Sequence, residues 1–95
     1  MITPRGIPVR VLNKLVEELN EKNLYAERHS YSIRMMYNGR FVASLHLYPG
    51  FNQAVLRVYG ESEAINKKVS EIVVELVKKY LENLELIVQV KPLSF

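Results

Sequence analysis

The apolar residues of this 95-residue chain change their spacing three times, from helical to alternating, back to helical, and finally to alternating again. Two stretches, one after Pro8 and one after Ser62, place apolar residues three and four positions apart, with charged residues on the opposite side. The stretch between them and the stretch after them alternate apolar and polar residues, as half-buried strands do. The spacing therefore predicts the element order α-β-β-β-β-α-β.

Each of the two predicted helices begins at a residue that favours the start of a helix. Pro8 fits a first helical turn, where its missing N–H has no helical partner, so the first helix is predicted over about 8 to 23. Ser62 can cap the second helix, which is predicted to end near Asn83. The apolar stripe of this second helix covers about half of its circumference, which is more than packing on one sheet requires. We therefore expect either the first helix or another subunit to lie beside it.

The turns between the predicted strands decide which residues share a face. Asn38 and Gly39 could form a two-residue turn. Such a turn would pair Tyr37 with Arg40 and put the apolar residues of the two strands on different faces. We therefore predict a three-residue loop of Tyr37, Asn38 and Gly39, with Gly39 left-handed as a bulge. At the next reversal, a loop of two or four residues would keep the apolar residues of the following strand on the same face, and we predict the four-residue loop over 49–52, because a proline turn splays a tight hairpin.

These elements predict an α+β fold in two layers, with an antiparallel sheet of four to five strands and both helices packed on one face of it. A short edge strand over about 24 to 28 precedes the hairpin. The last strand alternates up to Pro92, which should stop it, and its position in the sheet is not predicted. Because the chain length and the 48% hydrophobic content suffice for one core, residues 1–95 are predicted to form a single domain.

Charge is divided unevenly between the predicted layers. All four charged residues from Arg28 to Tyr59 are arginines, whereas nine of the ten glutamates lie in or beside the helical segments. We call the side of the sheet turned away from the helices the outer face. Its predicted residues in the middle strands are Ser32, Arg34, Met36, Arg40, Val42, Ser44, His46, Tyr48, Gln53, Val55, Arg57 and Tyr59. Such an acid-free set differs from an ordinary solvated surface, which mixes lysine with glutamate.

The candidate site consists of nine residues of this predicted face: Arg34, Met36, Arg40, Val42, His46, Tyr48, Val55, Arg57 and Tyr59. The centres of protein interfaces are enriched in tyrosine, arginine and methionine and depleted in lysine and glutamate, as this set is. Nucleic acid would suit the same residues, because arginine neutralises phosphates and tyrosine stacks on unpaired bases. A third interpretation is that another layer of the same molecule covers the face.

We therefore expect a small non-enzymatic binding or assembly module that homo-oligomerises or binds a protein partner through the outer face. The alternative is a nucleic-acid-binding domain that uses the same face for RNA or single-stranded DNA. In either case the partner is a macromolecule, and no membrane partner is expected.

Composition argues against several other classes of protein. We expect no catalytic residues, no cofactor and no metal site, since cysteine and aspartate are absent and His29 and His46 stand without a ligand motif. No apolar run approaches the roughly 18 residues that a membrane span needs, and we expect a cytoplasmic location. Abundant lysine, arginine and glutamate are typical of heat-adapted proteins, although seven asparagines oppose that interpretation.

The order helix, three strands, helix, with Pro8 opening the first helix and Tyr25 near the first strand, is similar to that of double-stranded-RNA-binding domains. This resemblance implies RNA binding. The chain departs from that family by an extra strand over 51–59, and by a second helix that begins Ser62-Glu63-Ala64-Ile65-Asn66 where the family presents lysines to phosphates. The order is also similar to half of a TATA-binding protein, and to secretion-chaperone-type domains, which implies dimerisation through a sheet or a helix.

Overall fold

The computed structural model describes residues 6–60 and 62–91. Two helices and five strands follow one another in the predicted order, which confirms the α+β fold class. The elements are α1 (Val9–Glu21), β1 (Tyr25–His29), β2 (Ser32–Tyr37), β3 (Arg40–Tyr48), a short 3-10 turn (Pro49–Phe51), β4 (Gln53–Val58), α2 (Glu63–Tyr80) and β5 (Glu85–Val90). Pro92, which was expected to stop the last strand, lies outside the described residues.

The five strands form one mixed sheet in the order β1-β2-β3-β4-β5. The first four strands make an antiparallel meander, whereas β5 lies parallel to β4 at the far edge. The expected antiparallel sheet is therefore antiparallel only up to β4. Its last pair is parallel because α2 carries the chain back along the sheet, so that β5 starts at the same end as β4.

Both helices pack on one face of the sheet and bury a continuous apolar core. The helices contribute Leu12, Leu15, Leu19, Val69, Val73, Leu76 and Val77, and the sheet contributes Ile33, Met35, Ala43, Leu45, Leu56 and Val58. The two helices also contact each other. Glu18 of α1 accepts hydrogen bonds from Lys79 Nζ, at 3.0 Å, and from the hydroxyl of Tyr80, both in α2. Contact with α1 therefore accounts for part of the wide apolar stripe of α2.

The cap and the loop predicted around β4 are confirmed. Ser62 Oγ accepts hydrogen bonds from the N–H groups of Ala64 and Ile65, at 3.2 and 3.4 Å, at the start of α2. Tyr48 lies opposite Gln53, which leaves a four-residue loop over 49–52, and left-handed Asn52 ends it.

The first hairpin turn differs from the prediction. Tyr37 pairs with Arg40 across a two-residue turn, and Asn38 and Gly39 both have positive φ, 52° and 77°. Two consecutive residues with positive φ are what a type I′ turn requires, and this turn suits the twist of a hairpin. The predicted three-residue loop is therefore wrong, because asparagine as well as glycine adopts the left-handed conformation here.

One extra residue is needed to bring the apolar residues of β2 and β3 to the same face. It lies inside β3 instead of in the turn. Met36 lies opposite Phe41, whereas Met35 lies opposite Ala43, so Val42 is the bulged residue. Beyond the bulge, Met35 and Ala43 share the helix-covered face, as the apolar pattern predicted. The bulge thus reconciles the tight turn with a consistent core.

The bulge reverses the predicted faces at the tip of the hairpin. Phe41, expected under the helices, lies on the outer face opposite Met36. Val42, expected on the outer face, is only 4% exposed and belongs to the core. Arg40 was also expected on the outer face, but it pairs with Tyr37, whose ring lies beneath Lys68 of α2, so Arg40 lies on the helix side.

Candidate functional site

The outer face carries one row of polar side chains that crosses all five strands. Arg34 of β2 and Arg57 of β4 each lie directly opposite Ser44 of β3. Glu27 of β1 extends the row beyond Arg34, and Gln89 of β5 extends it beyond Arg57. Directly opposed residues of neighbouring strands share a face, so both arginines lie on the same side of the sheet, away from the helices.

An aromatic group occupies the hairpin end of the face. The rings of Phe41 and Tyr59 lie 5.1 Å apart, centroid to centroid, with 34° between their planes. The guanidinium carbon of Arg34 lies 5.2 Å from the centroid of the Phe41 ring, a cation–π contact that holds the charge over the ring. Met36 and the largely exposed Tyr25 are directly opposed beside this group. The result is an aromatic and apolar patch with one positive charge held against it.

His46 joins two serines at the centre of the face. Its Nδ1 lies 3.1 Å from Ser32 Oγ, and its Nε2 lies 3.1 Å from Ser44 Oγ. Partial burial, and to a smaller extent the positive charge of Arg57, lower the pKa of His46 below the usual 6.5. The ring is therefore neutral at pH 7, with one nitrogen donating and the other accepting.

The β5 side of the face combines an anchored arginine with aliphatic side chains. Arg57 Nε donates a hydrogen bond to Gln89 Oε1 at 3.2 Å. This bond uses one of the five guanidinium N–H donors, and no hydrogen bond to the described residues 6–60 and 62–91 occupies the other four. Val55 lies opposite Ile87 in the next row, and both side chains are half-buried. This part of the face is thus apolar beside an oriented positive charge.

The remaining end of the face lies at the turn between β3 and β4. Tyr48 is 40% exposed and lies opposite Gln53. Phe51, in the turn itself, is 77% exposed. Two further exposed aromatic side chains therefore lie at the end of the sheet opposite Phe41 and Tyr59.

The complete face contains acids that the sequence prediction did not place there. Glu27 on β1 faces Arg34, and Glu85 on β5 lies opposite Gln53. The face is therefore free of acids only across the three middle strands, and its two glutamates lie at the margins. Periodicity could not place Glu85, Ile87 and Gln89, because the position of the last strand in the sheet was not predicted.

Seven of the nine predicted site residues lie together on the outer face: Arg34, Met36, His46, Tyr48, Val55, Arg57 and Tyr59. Phe41 joins them in place of Val42, while Arg40 and Val42 lie on the helix side. In the part of the chain that the structure describes, both helices lie on the other side of the sheet, and no element covers this face.

A shallow groove of about 610 Å³ adjoins the aromatic group. It runs between the hairpin tip at Asn38 and the start of α2 at Ile65, with Phe41 and Tyr59 in its wall. An apolar or aromatic side chain of a partner could enter the groove alongside these rings.

Comparison with known proteins assigns no role to this surface. The chain matches no protein family, no curated protein and no solved structure. Within residues 6–60 and 62–91, neither helix is long and apolar enough to cross a lipid bilayer. The function is therefore inferred from the chemistry of the face.

Proposed function

We propose that this chain is a small non-enzymatic binding module that holds a different protein against its outer face. The partner surface that fits best presents carboxylates opposite the two arginines, with apolar side chains on either side of them. The observation that carries the proposal is the placement of Arg34 and Arg57 in one row of an uncovered face, among the side chains of Phe41, Tyr59 and Val55.

The side chains of the face suit a protein interface. Aromatic residues, methionine and arginine supply much of the contact area at interface centres, and lysine and glutamate are depleted there. Two of these side chains are already held in place, Arg34 by the Phe41 ring and Arg57 by Gln89. Binding then costs less side-chain entropy, at about 0.5–1.5 kcal/mol for each side chain that would otherwise have to be immobilised.

The charge pattern favours a different protein over a second copy of the same face. The two arginines stand on the inner strands β2 and β4, whereas Glu27 and Glu85 stand on the edge strands. Two copies placed face to face would bring arginine near arginine in the middle of the contact, which is unfavourable. A partner that presents carboxylates there would complement both charges.

Nucleic acid is the second candidate, because Arg34 stacked on Phe41 beside Tyr59 offers a charge and two rings together. The middle of the face has only two arginines, and glutamates border it on both sides. Each phosphate contact contributes about 0.7–0.9 to the salt dependence of binding, so two contacts support weak binding only. The charge distribution therefore favours a protein partner.

Selection from a random peptide display library on the immobilised chain tests this function. We expect the selected peptides to combine apolar residues with aspartate or glutamate, and to lose binding to R34E, R57E and V55D. The matched control is R10E, which makes the same charge change at an exposed position of α1. Single-stranded RNA and DNA at low salt form a parallel arm.

The outcomes separate the two candidate functions. Acidic-apolar peptides that bind the wild-type chain and R10E but not R34E support the protein-binding function. Oligonucleotide binding that R34E abolishes, without any such peptides, favours the nucleic-acid function instead. Binding of either ligand that persists in R34E, R57E and V55D would show that the outer face is not the site.

A further inference from the structure

We propose that β5 pairs antiparallel with β5 of a second copy of this chain, centred on Val88, and that the two five-stranded sheets thereby join into one. This self-association uses the edge of the sheet and leaves the outer face open. It is therefore separate from the protein-binding function proposed above.

The hydrogen bonds of β5 show which of its backbone groups point away from β4. Glu85 N–H bonds to Asn52 O at 2.7 Å, and Lys91 N–H bonds to Val58 O at 2.8 Å. In a parallel ladder, alternate residues direct both N–H and C=O to the neighbouring strand. The odd-numbered residues of β5 therefore bond to β4, and the backbone groups of Leu86, Val88 and Val90 point to the open edge.

The outward N–H and C=O groups of β5 form no hydrogen bond within residues 6–60 and 62–91. The opposite edge of the sheet, at β1, is partly closed. On β1, Ala26 N–H donates to Asn20 Oδ1 of α1 at 3.0 Å, so a side chain occupies that edge. Charged side chains also protect β1, with Glu27 and Arg28 at its centre. β5 has no charged residue between Leu86 and Val90, and an edge strand of this kind is prone to pair.

The side chains at the β5 edge are apolar and exposed. Val88 and Val90 face the helix side, yet they are 43% and 64% exposed because α2 does not reach over the edge. Val74 of α2 is half-buried and lies on a different flank of the helix from Lys68 and Lys79, which contact Tyr37 of β2 and Glu18 of α1. Pairing of two β5 strands would remove this apolar strip from water in both copies.

One register uses every outward group and also matches the charges. With Val88 opposite Val88 of the second copy, Leu86 lies opposite Val90, and each such pair exchanges both of its N–H···O bonds. The same register places Glu85 opposite Lys91 of the second copy, on both sides of the twofold axis. A register centred on Val90 would set Val88 opposite Pro92, which has no N–H to donate.

The size of the contact predicts its strength. Seven paired residues in each copy bury less than the roughly 1,200 Å² of a standard interface, so the dimer should be reversible and concentration-dependent, with a dissociation constant on the order of micromolar or weaker. The charge pairs at the ends add specificity for the register, since opposed charges across strands contribute modestly.

Sedimentation equilibrium over a range of concentrations tests the pairing. V88P should abolish dimerisation without breaking the ladder to β4, because the N–H of Val88 points outward and proline is tolerated on edges. I87P, which removes an inward N–H, should instead destabilise the fold. E85K and K91E should each weaken the dimer about tenfold by opposing like charges, and the double variant E85K/K91E should restore it.

The charge-swap arm keeps the test decisive even if V88P fails to fold. Glu85 and Lys91 lie about 20 Å apart within one strand, so rescue by the double variant can arise only between two copies. A wild-type chain that stays monomeric up to millimolar concentration would overturn the proposal. A dimer that neither charge variant weakens, or that V55D disperses, would also overturn it. Peptide binding by V88P tests the outer face independently of this result.

Discussion

Arg34 and Arg57 stand in the same row of the outer face, separated only by Ser44, to which both lie directly opposite. Neither arginine is buried in the core, so both can meet a partner without any change in the fold. Their neighbours differ, since an aromatic ring holds Arg34 and an amide oxygen holds Arg57. The two charges are therefore oriented independently at a fixed spacing.

The contact between Arg34 and Phe41 should be measurable as a coupling energy. A double-mutant cycle with R34A, F41A and the double variant should give about 0.5–1 kcal/mol of coupling in urea unfolding, as expected for a partly exposed cation–π contact. R10A paired with F41A is the control, because Arg10 lies in α1 and should show no coupling. Additive effects of R34A and F41A would contradict the stacked arrangement.

The bulge at Val42 predicts that two neighbouring positions respond very differently to the same substitution. V42D puts an unpaired carboxylate into the core and should cost at least about 3 kcal/mol of unfolding free energy. F41D, on the open face beside Arg34, should cost about 1–2 kcal/mol, mainly from lost ring contacts. Chemical denaturation of both variants gives the comparison. A larger loss for F41D than for V42D would mean that the three-residue loop, and not the bulge, sets the register.

Two glycines provide a matched test of the hairpin turn. An alanine Cβ would meet nothing within 4 Å at either Gly39 or Gly50, but only Gly39 has a positive φ, of 77°. G39A should therefore lower the unfolding free energy by about 1–2 kcal/mol through backbone strain alone. G50A should be neutral or slightly stabilising, because it restricts the unfolded chain. Thermal or urea unfolding distinguishes the two, and equal effects would argue against a type I′ turn.

The lowered pKa of His46 predicts a pH dependence of stability. Because the folded state holds this imidazole neutral, the unfolded chain binds the proton more readily, so stability is complete above about pH 6.5 and falls as pH decreases from there toward the lower native pKa. Denaturation at a series of pH values should show this loss in the wild type. H46Q, which keeps a donor and an acceptor but does not titrate, should lack it. The same slope in both proteins would assign the effect to carboxylates.

The sequence predicts the elements of this fold well because their signals are local. The helical stripes after Pro8 and Ser62 and the alternation in β2 to β4 each fix an element without reference to the rest of the chain. The four-residue loop before Gln53 was also predictable, because the alternation of apolar residues allowed a loop of two or four residues, and Pro49 disfavours the tight two-residue turn.

Two features could not be read from local patterns. A three-residue loop and a tight turn followed by a bulge both bring Ala43 and Leu45 to the helix-covered face. The pattern alone could therefore not decide which of Phe41 and Val42 is buried. The position of β5 depends on the path of α2 across the sheet, which is a tertiary property. Without it, Glu85, Ile87 and Gln89 could not be assigned to the outer face.

Methyl chemical-shift mapping with a peptide selected from the display library tests the protein-binding role of the outer face most directly. The proposal predicts that the methyl signals of Val55 and Ile87 shift on titration, whereas those of exposed Val9 on α1 and half-buried Val74 on α2 stay unchanged. R34E should reduce the affinity of the same peptide by at least about tenfold, while R10E leaves it unaltered. Shifts at Val9 or Val74 with Val55 and Ile87 unchanged would contradict the proposed function.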